Sequence, residues 1–247
     1  MTIESKSDLA GMRAVGKLVA QALREMQNAA RPGMTTEQLD MVGARFCRKR
    51  GARSAPQLTY DFPGFNCISV NDEVVHGVPG SRVLRPGDVL KIDVTAELDG
   101  YIADSAVTIV IPPVTASARH LADCARVAFD RAMTVAAEGV RISELGRAVE
   151  AEVLEWGHAV IHDMCGHGVG RALHEQPSVP NFFSPFTPGH LQEGLVIALE
   201  PIIAASATEV FEDDDGWTIR TVNGCHAAHF EHTIVIQNGR AEILTAA

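Results

Sequence analysis

The stretch GDVLKIDVTAELDGYIADSAVTIVI, residues 87–111, decides the fold. Two apolar, β-branched runs flank Leu98-Asp99-Gly100-Tyr101. Asp-Gly suits a two-residue hairpin turn, because both central residues must take positive φ. The pattern predicts strands over about 88–94 and 101–111, paired antiparallel. The turn sets the register: Leu98 faces Tyr101, so Thr95 faces Asp104. Alternation then puts Asp93 on the same face as Asp104. The two carboxylates are diagonal neighbours, with Cα atoms about 7–8 Å apart, and both can converge on one cation pair.

Working outward, Ser7 and Asp8 are cap-type residues, and Leu9, Met12, Val15, Val19 and Leu23 follow at helical spacing. Arg31-Pro32-Gly33 breaks that helix. A second runs from about Thr36 to Arg50, with Leu39, Val42 and Phe46 on one face, and Gly51 ends it. Asn66–Asn71 reads as a strand. After Pro112-Pro113 the order starts again. Helices are expected over 117–137 and about 143–156, then strands at Ala159–Met164, Leu195–Ala204, Trp217–Val222 and Phe230–Gln237. Gly33, Leu39 and Gly51 recur 106 residues later as Gly139, Leu145 and Gly157. The expectation is one domain over 1–247, built from pseudo-repeats at about 7–113 and 114–237, with a site at their junction.

Four acids sit in apolar, strand-like surroundings: Asp93 in VLKIDVTAEL, Asp104 in GYIADSAVTIVI, Glu200 after GLVIAL and Glu231 before HTIVI. A buried ionised carboxylate is costly unless paired or metal-bound. Any one of them could be a strand-edge residue or an ion-pair partner. Four together, with few Lys or Arg nearby in sequence, favour metal. Gly166-His167-Gly168-Val169-Gly170 either is a tight turn that carries a histidine or lets the backbone approach closely and leaves the imidazole accessible. His174 follows seven residues on, and His76 stands before a Gly-Val-Pro-Gly turn. The other seven histidines, His162 and His232 among them, carry no assigned chemistry. His232, next to Glu231, should point to the opposite face. Glu212-Asp213-Asp214-Asp215-Gly216 reads as a solvated acidic turn, since it lacks the alternation of a calcium loop.

The 247 residues carry a formal net charge of −10, with 46% hydrophobic and 21% charged residues. An ordered globular chain is expected, and direct nucleic-acid binding is disfavoured. Cys47, Cys67, Cys124, Cys165 and Cys225 form no C-x-x-C pair, which fits reduced thiols and a cytoplasmic location. No secretory leader or membrane-spanning run is expected.

Together, CISVNDEVVHGVPG, GDVLKIDVTAELDGYIADSA, CGHGVGRALHEQP, EGLVIALEP, DGWTIRT and FEHTIVI resemble the type I methionine aminopeptidases, in the family's order and over nearly the whole chain. The resemblance implies an α+β pita-bread fold: pseudo-two-fold halves, with a curved antiparallel sheet covered by helices. It implies two divalent ions, of Mn(II), Fe(II), Co(II) or Zn(II), bridged by Asp104 and Glu231. Asp93 would complete one shell, and His167 and Glu200 the other. It also makes Glu200 the proton shuttle, His174 the group polarising the scissile carbonyl, and His76 a contact to the peptide nitrogen beyond the scissile bond. Phe62, Cys67 and Trp217 would line the methionine pocket, where core filling is the alternative for Cys67 and Trp217. Phe62 stands where tyrosine is common, Leu173 where phenylalanine is common, Tyr60 where histidine is frequent, and His229 where glutamine is frequent. The implied substrate is a peptide or nascent-chain N-terminus with a small second residue. A monomer with transient ribosome association fits the family.

Two rivals remain open at this point. One is a proline-specific peptidase of the same fold, which usually carries an extra N-terminal domain. The other is a non-catalytic relative, which would have lost metal ligands.

Overall fold

Asp99 and Gly100 take φ of 51° and 82°, the backbone that a two-residue hairpin turn of this hand requires. They join two ten-residue strands whose register pairs Leu98 with Tyr101 and Thr95 with Asp104. This is the pairing expected from the Asp-Gly turn. The structure, a computed structural model, describes residues 1–246; the last residue of the expected domain lies outside the described residues.

The first half runs α1 (Lys6–Ala29), α2 (Thr36–Arg48), β1 (Arg53–Ser54), α3 (Ala55–Tyr60), β2 (Cys67–Val70), β3 (Glu73–Val75), β4 (Val89–Leu98) and β5 (Tyr101–Val110). The second runs α4 (Ala116–Val135), α5 (Ile142–Glu155), β6 (Ala159–Val160), β7 (Cys165–Gly168), β8 (Glu175–Pro180), β9 (Val196–Leu199), β10 (Ile202–Ala204), β11 (Val210–Glu212), β12 (Ile219–Thr221), β13 (Ala227–His229), β14 (His232–Gln237) and β15 (Arg240–Ile243). The 106-residue offset carries the end of α1 onto the end of α4, the start of α2 onto the start of α5, and β1 onto β6. Gly33, Gly51, Gly139 and Gly157 all take positive φ, so the echo marks equivalent helix boundaries.

Helix formation follows local chemistry. Ser5 Oγ caps α1 by accepting from Asp8 N, and Thr35 with Gln38 forms a reciprocal capping box on α2. Met12, Val15, Val19 and Leu23 of α1 are buried in one core with Leu90, Ile92, Val94 and Ile102 of the hairpin. A second core sets Cys124, Phe129 and Leu145 of α4 and α5 against Ile197, Leu199 and Ile234.

Strand pairing is antiparallel throughout the described residues. One sheet runs β1-β4-β2 with β5 on β4, and another runs β15-β14-β9-β7-β8. Two three-stranded sheets, β13-β10-β6 and β11-β12-β3, complete the set. Several expected runs are shorter or interrupted. Ala159–Met164 keeps only Ala159–Val160 as strand, Leu195–Ala204 divides at Glu200-Pro201, and the last run begins at His232 rather than Phe230. Most of the glycine-rich segment is strand rather than turn. A Cβ on Gly166 would lie 2.4 Å from Ala198 O, and one on Gly168 would lie 2.2 Å from Gln176 O, so only glycine lets β7 fit between its neighbours.

The halves are joined by hydrogen bonds between β5 and residues 229–233. Asp104 N donates to Thr233 Oγ1, which donates back to Asp104 O, both at 2.8 Å. Ser105 Oγ donates to Glu231 O at 2.7 Å, and Glu231 N donates to Ala106 O at 2.9 Å. Thr108 Oγ1 exchanges 2.8 Å bonds with the backbone of His229. Thr233→Val would keep the shape of this fully buried residue and leave two buried groups of Asp104 unpaired. At about 1–3 kcal/mol for each unpaired group, a loss of about 2–6 kcal/mol is expected, read as a lower urea midpoint. An unchanged midpoint would remove this junction from the account of stability.

Candidate active site

A cavity of about 560 Å³ opens between the halves. Asp93 and Asp104 enter it from the hairpin. Thr95, between them, donates to Asp104 Oδ1 at 2.7 Å and lies 3.5 Å from Asp93 Oδ1. The second half contributes at a break in its sheets. Leu199 pairs with His232, and Ile202 pairs with His229. In the same register Glu200 lies opposite Glu231, each in a gap between two strands. The sequence puts both in strand-like runs. The interruption beside Pro201 instead turns these carboxylates inward together. Asn181 Nδ2 holds Glu200 O at 2.9 Å.

His167 on β7 keeps Nδ1 2.9 Å from Gly168 O, and its Nε2 is 3.4 Å from Glu200 Oε1. That bond favours the tautomer with a free Nε2 lone pair. His174 follows a loop tied down by Glu175, which accepts from Arg171 N and Ala172 N at 2.7 Å each and pairs with the Met1 ammonium at 2.6 Å. Tyr60 Oη lies 2.6 Å from His174 Nδ1.

Asp93, Asp104, Asp163, Glu175, Glu200 and Glu231 line the cavity with no Lys or Arg among the described lining residues. Lys91 is buried but donates to Asn71 O at 2.8 Å; burial pushes its pKa down to about 7. Burial, with the neighbouring acids, drives the carboxyls of Asp93, Glu200 and Glu231 well above their usual range. Burial raises Asp104 to about 6, held back by the bonds from Thr95 and Asp93. Glu200 Oε1 and Glu231 Oε1 are buried without a hydrogen-bond partner. Carboxylates crowded in this way lack a countercharge, and a divalent cation fits the donor set. Ligand atoms of Asp104, His167 and Glu231 lie within 4.8 Å of one another, and so do those of Asp93, His229 and Glu231.

His76 opens to the cavity, with φ of +57°. The protein packed round it, helped by His174, pushes its pKa down to about 4. Burial and His174 do the same to His167, also to about 4. Phe62, Cys67 and Trp217 line the same cavity, with the Phe62 and Trp217 rings edge-on at 5.2 Å. The acidic turn holds Trp217 in place: Asp215 accepts from Trp217 N at 2.9 Å and Thr218 N at 2.7 Å, and Asp213 pairs with Arg220 at 2.5 Å. His232 faces away, bonded to Thr245 Oγ1 at 2.8 Å and set against Phe129.

Two participants escape the sequence reading. His229 carries no assigned chemistry there, yet its Nε2 lies 3.5 Å from Glu231 Oε2 and 3.6 Å from Glu200 Oε2. Burial pushes its pKa down to about 3. Parity is the signal that finds it, since His229 is two residues from Glu231 along an extended segment. Tyr60 is the other, because its partner His174 is 114 residues away.

Residues 10–238 match the model of metallopeptidase family M24. "Methionine aminopeptidase 2" of Bacillus subtilis is 41% identical over 247 residues, covering 99% of both chains. A crystal structure of methionine aminopeptidase from Thermotoga maritima is 35% identical, covers both chains fully and has a TM-score of 0.96. Prolidase from Pyrococcus furiosus shares the fold, with a TM-score of 0.81 at 21% identity, and this chain covers 66% of it. The fold and cavity are those of a metallopeptidase, and the chain belongs to family M24. Within that pita-bread family it falls among the methionine aminopeptidases.

Divalent metal should therefore raise the melting temperature of chelator-treated protein. Binding at a concentration 100 times Kd contributes about 2.7 kcal/mol. Glu231→Gln should lose most of that rise in a thermal melt. A full rise in the variant would exclude Glu231 from the metal centre.

Proposed function

We propose that this chain is one catalytic domain that removes N-terminal methionine from peptides and nascent chains with a small second residue, using two divalent ions. The observation that carries the reading is a pair of carboxylate–histidine donor sets sharing Glu231, in a cavity with no Lys or Arg among its described lining residues. Asp104 and Glu231 would bridge the ions, with Asp93 on one and His167 and Glu200 on the other. Carboxylate and imidazole suit Mn(II), Fe(II), Co(II) or Zn(II). When bound, such ions activate water and stabilise negative charge on oxygen.

The chain's own groups supply the rest. Glu200, with Oε1 unpartnered, takes the proton of the attacking water and passes it to the leaving amine nitrogen. With Tyr60 as the donor to His174 Nδ1, the ring proton would sit on Nε2, free to donate to the scissile carbonyl oxygen. His76 contacts the peptide nitrogen beyond the scissile bond. Phe62, Trp217 and Cys67 offer an apolar, polarisable wall for a thioether. A monomeric, cytoplasmic protein meeting chains at the ribosome is the setting we propose; no helix among the described residues is long and apolar enough to cross a membrane.

Chelator-treated protein should lose cleavage of Met-Ala-Ser and regain it with added divalent metal. Preference for an X-Pro peptide, or cleavage by metal-free protein, would overturn the reading. Tyr60→Phe removes one hydrogen bond to His174, worth about 1 kcal/mol. It should lower kcat several-fold with KM nearly unchanged. A change in KM alone would assign Tyr60 to substrate binding instead.

A further inference from the structure

We propose that His229 is an additional metal ligand in this chain, its Nε2 joining Asp93 and Glu231 around the ion on the Asp93 side. The inference rests on the dinuclear reading above and adds an imidazole to the half of the site that would otherwise hold oxygen donors only.

Four observations carry it. His229 ends β13, and its backbone is pinned to β5 by the two 2.8 Å bonds with Thr108, so the ring is aimed by a rigid junction. The residue is 2% exposed, and neither ring nitrogen has a hydrogen-bond partner. A buried imidazole in that state is costly unless something lies between it and its neighbours. Its Nε2 stands 3.5 Å from Glu231 Oε2 and 3.6 Å from Glu200 Oε2, long for hydrogen bonds. Two donors each about 2.1 Å from one tetrahedral ion stand about 3.4 Å apart, which matches the 3.5 Å to Glu231, the acid shared by both ions in the reading above. Finally, Asp93, His229 and Glu231 bring ligand atoms within 4.8 Å of one another, as Asp104, His167 and Glu231 do. Each set is one Asp, one His and the shared Glu.

The consequence is a more symmetrical site. An imidazole on each side raises affinity for ions that favour nitrogen, such as Zn(II) and Co(II), relative to Mn(II). The competing arrangement puts the proton on Nε2 and makes His229 a donor to the two carboxylates.

X-ray absorption of the wild-type protein loaded with two equivalents of Zn(II) separates these without any variant. Two imidazoles per two zinc ions, from His167 and His229, are expected; one imidazole overturns the proposal. His229→Gln keeps an N–H donor and removes the imidazole. Calorimetric titration of the chelator-stripped variant should show one Zn(II) site weakened at least tenfold, Mn(II) affected less, and the imidazole count halved. Unchanged Zn(II) affinity and imidazole count would refute the ligand role. Wild-type protein that binds no divalent ion would overturn the dinuclear reading itself, and this inference with it.

Discussion

Four carboxylates, Asp93, Asp104, Glu200 and Glu231, meet in a cavity with no Lys or Arg among its described lining residues, and the architecture is arranged around that constraint. Taking an ionised carboxylate out of water costs several kcal/mol even after relaxation. The chain tolerates this because the acids are anchored through their main chain, in ways that do not depend on their charge; Asp93 sits in the ladder of β4 with β2 and β5. Asp104 is fixed by Thr233, Glu231 by Ser105 and Ala106, and Glu200 by Asn181. The oxygens left over are the ones that face the cavity.

The duplicated architecture makes such anchoring feasible. Each half has its own pair of helices; the second half packs a core of its own, while the first half's core takes in Val169, Val196 and Val235 from the other half. Neither half is complete as a site: the hairpin supplies two acids on one face, and the second half supplies two more where its ladders stop. The junction between β5 and residues 229–233 brings the two pairs together. Because that junction is hydrogen-bonded and buried, a small shift there would move carboxylates from both sides.

Around the carboxylates, the pocket wall is built by contacts between segments distant in sequence. Tyr60 reaches His174 from the end of the six-residue helix α3. Phe62 packs edge-on against Trp217, which is positioned by a turn of acids tied to Arg220. His229 introduces an imidazole beside two carboxylates. These contacts link segments distant in sequence, so substitutions at Asp215 or Arg220 should reach the pocket without touching it.

The hairpin register was determined by sequence alone. Asp-Gly permits one tight turn, alternation does the rest, and Thr95 opposes Asp104 as read. The paired helices were equally legible, because their caps and apolar spacing are local. The strand character of residues 165–168 was not, since it comes from close packing between β8 and β9, which glycine permits and no local pattern announces. Nor was the break that sets Glu200 opposite Glu231, because apolar runs do not show where a ladder stops. The partnership of Tyr60 with His174 was decided by tertiary structure only. A side chain's neighbours across a cavity depend on where both halves dock, and that docking is set by buried hydrogen bonds between segments more than 120 residues apart.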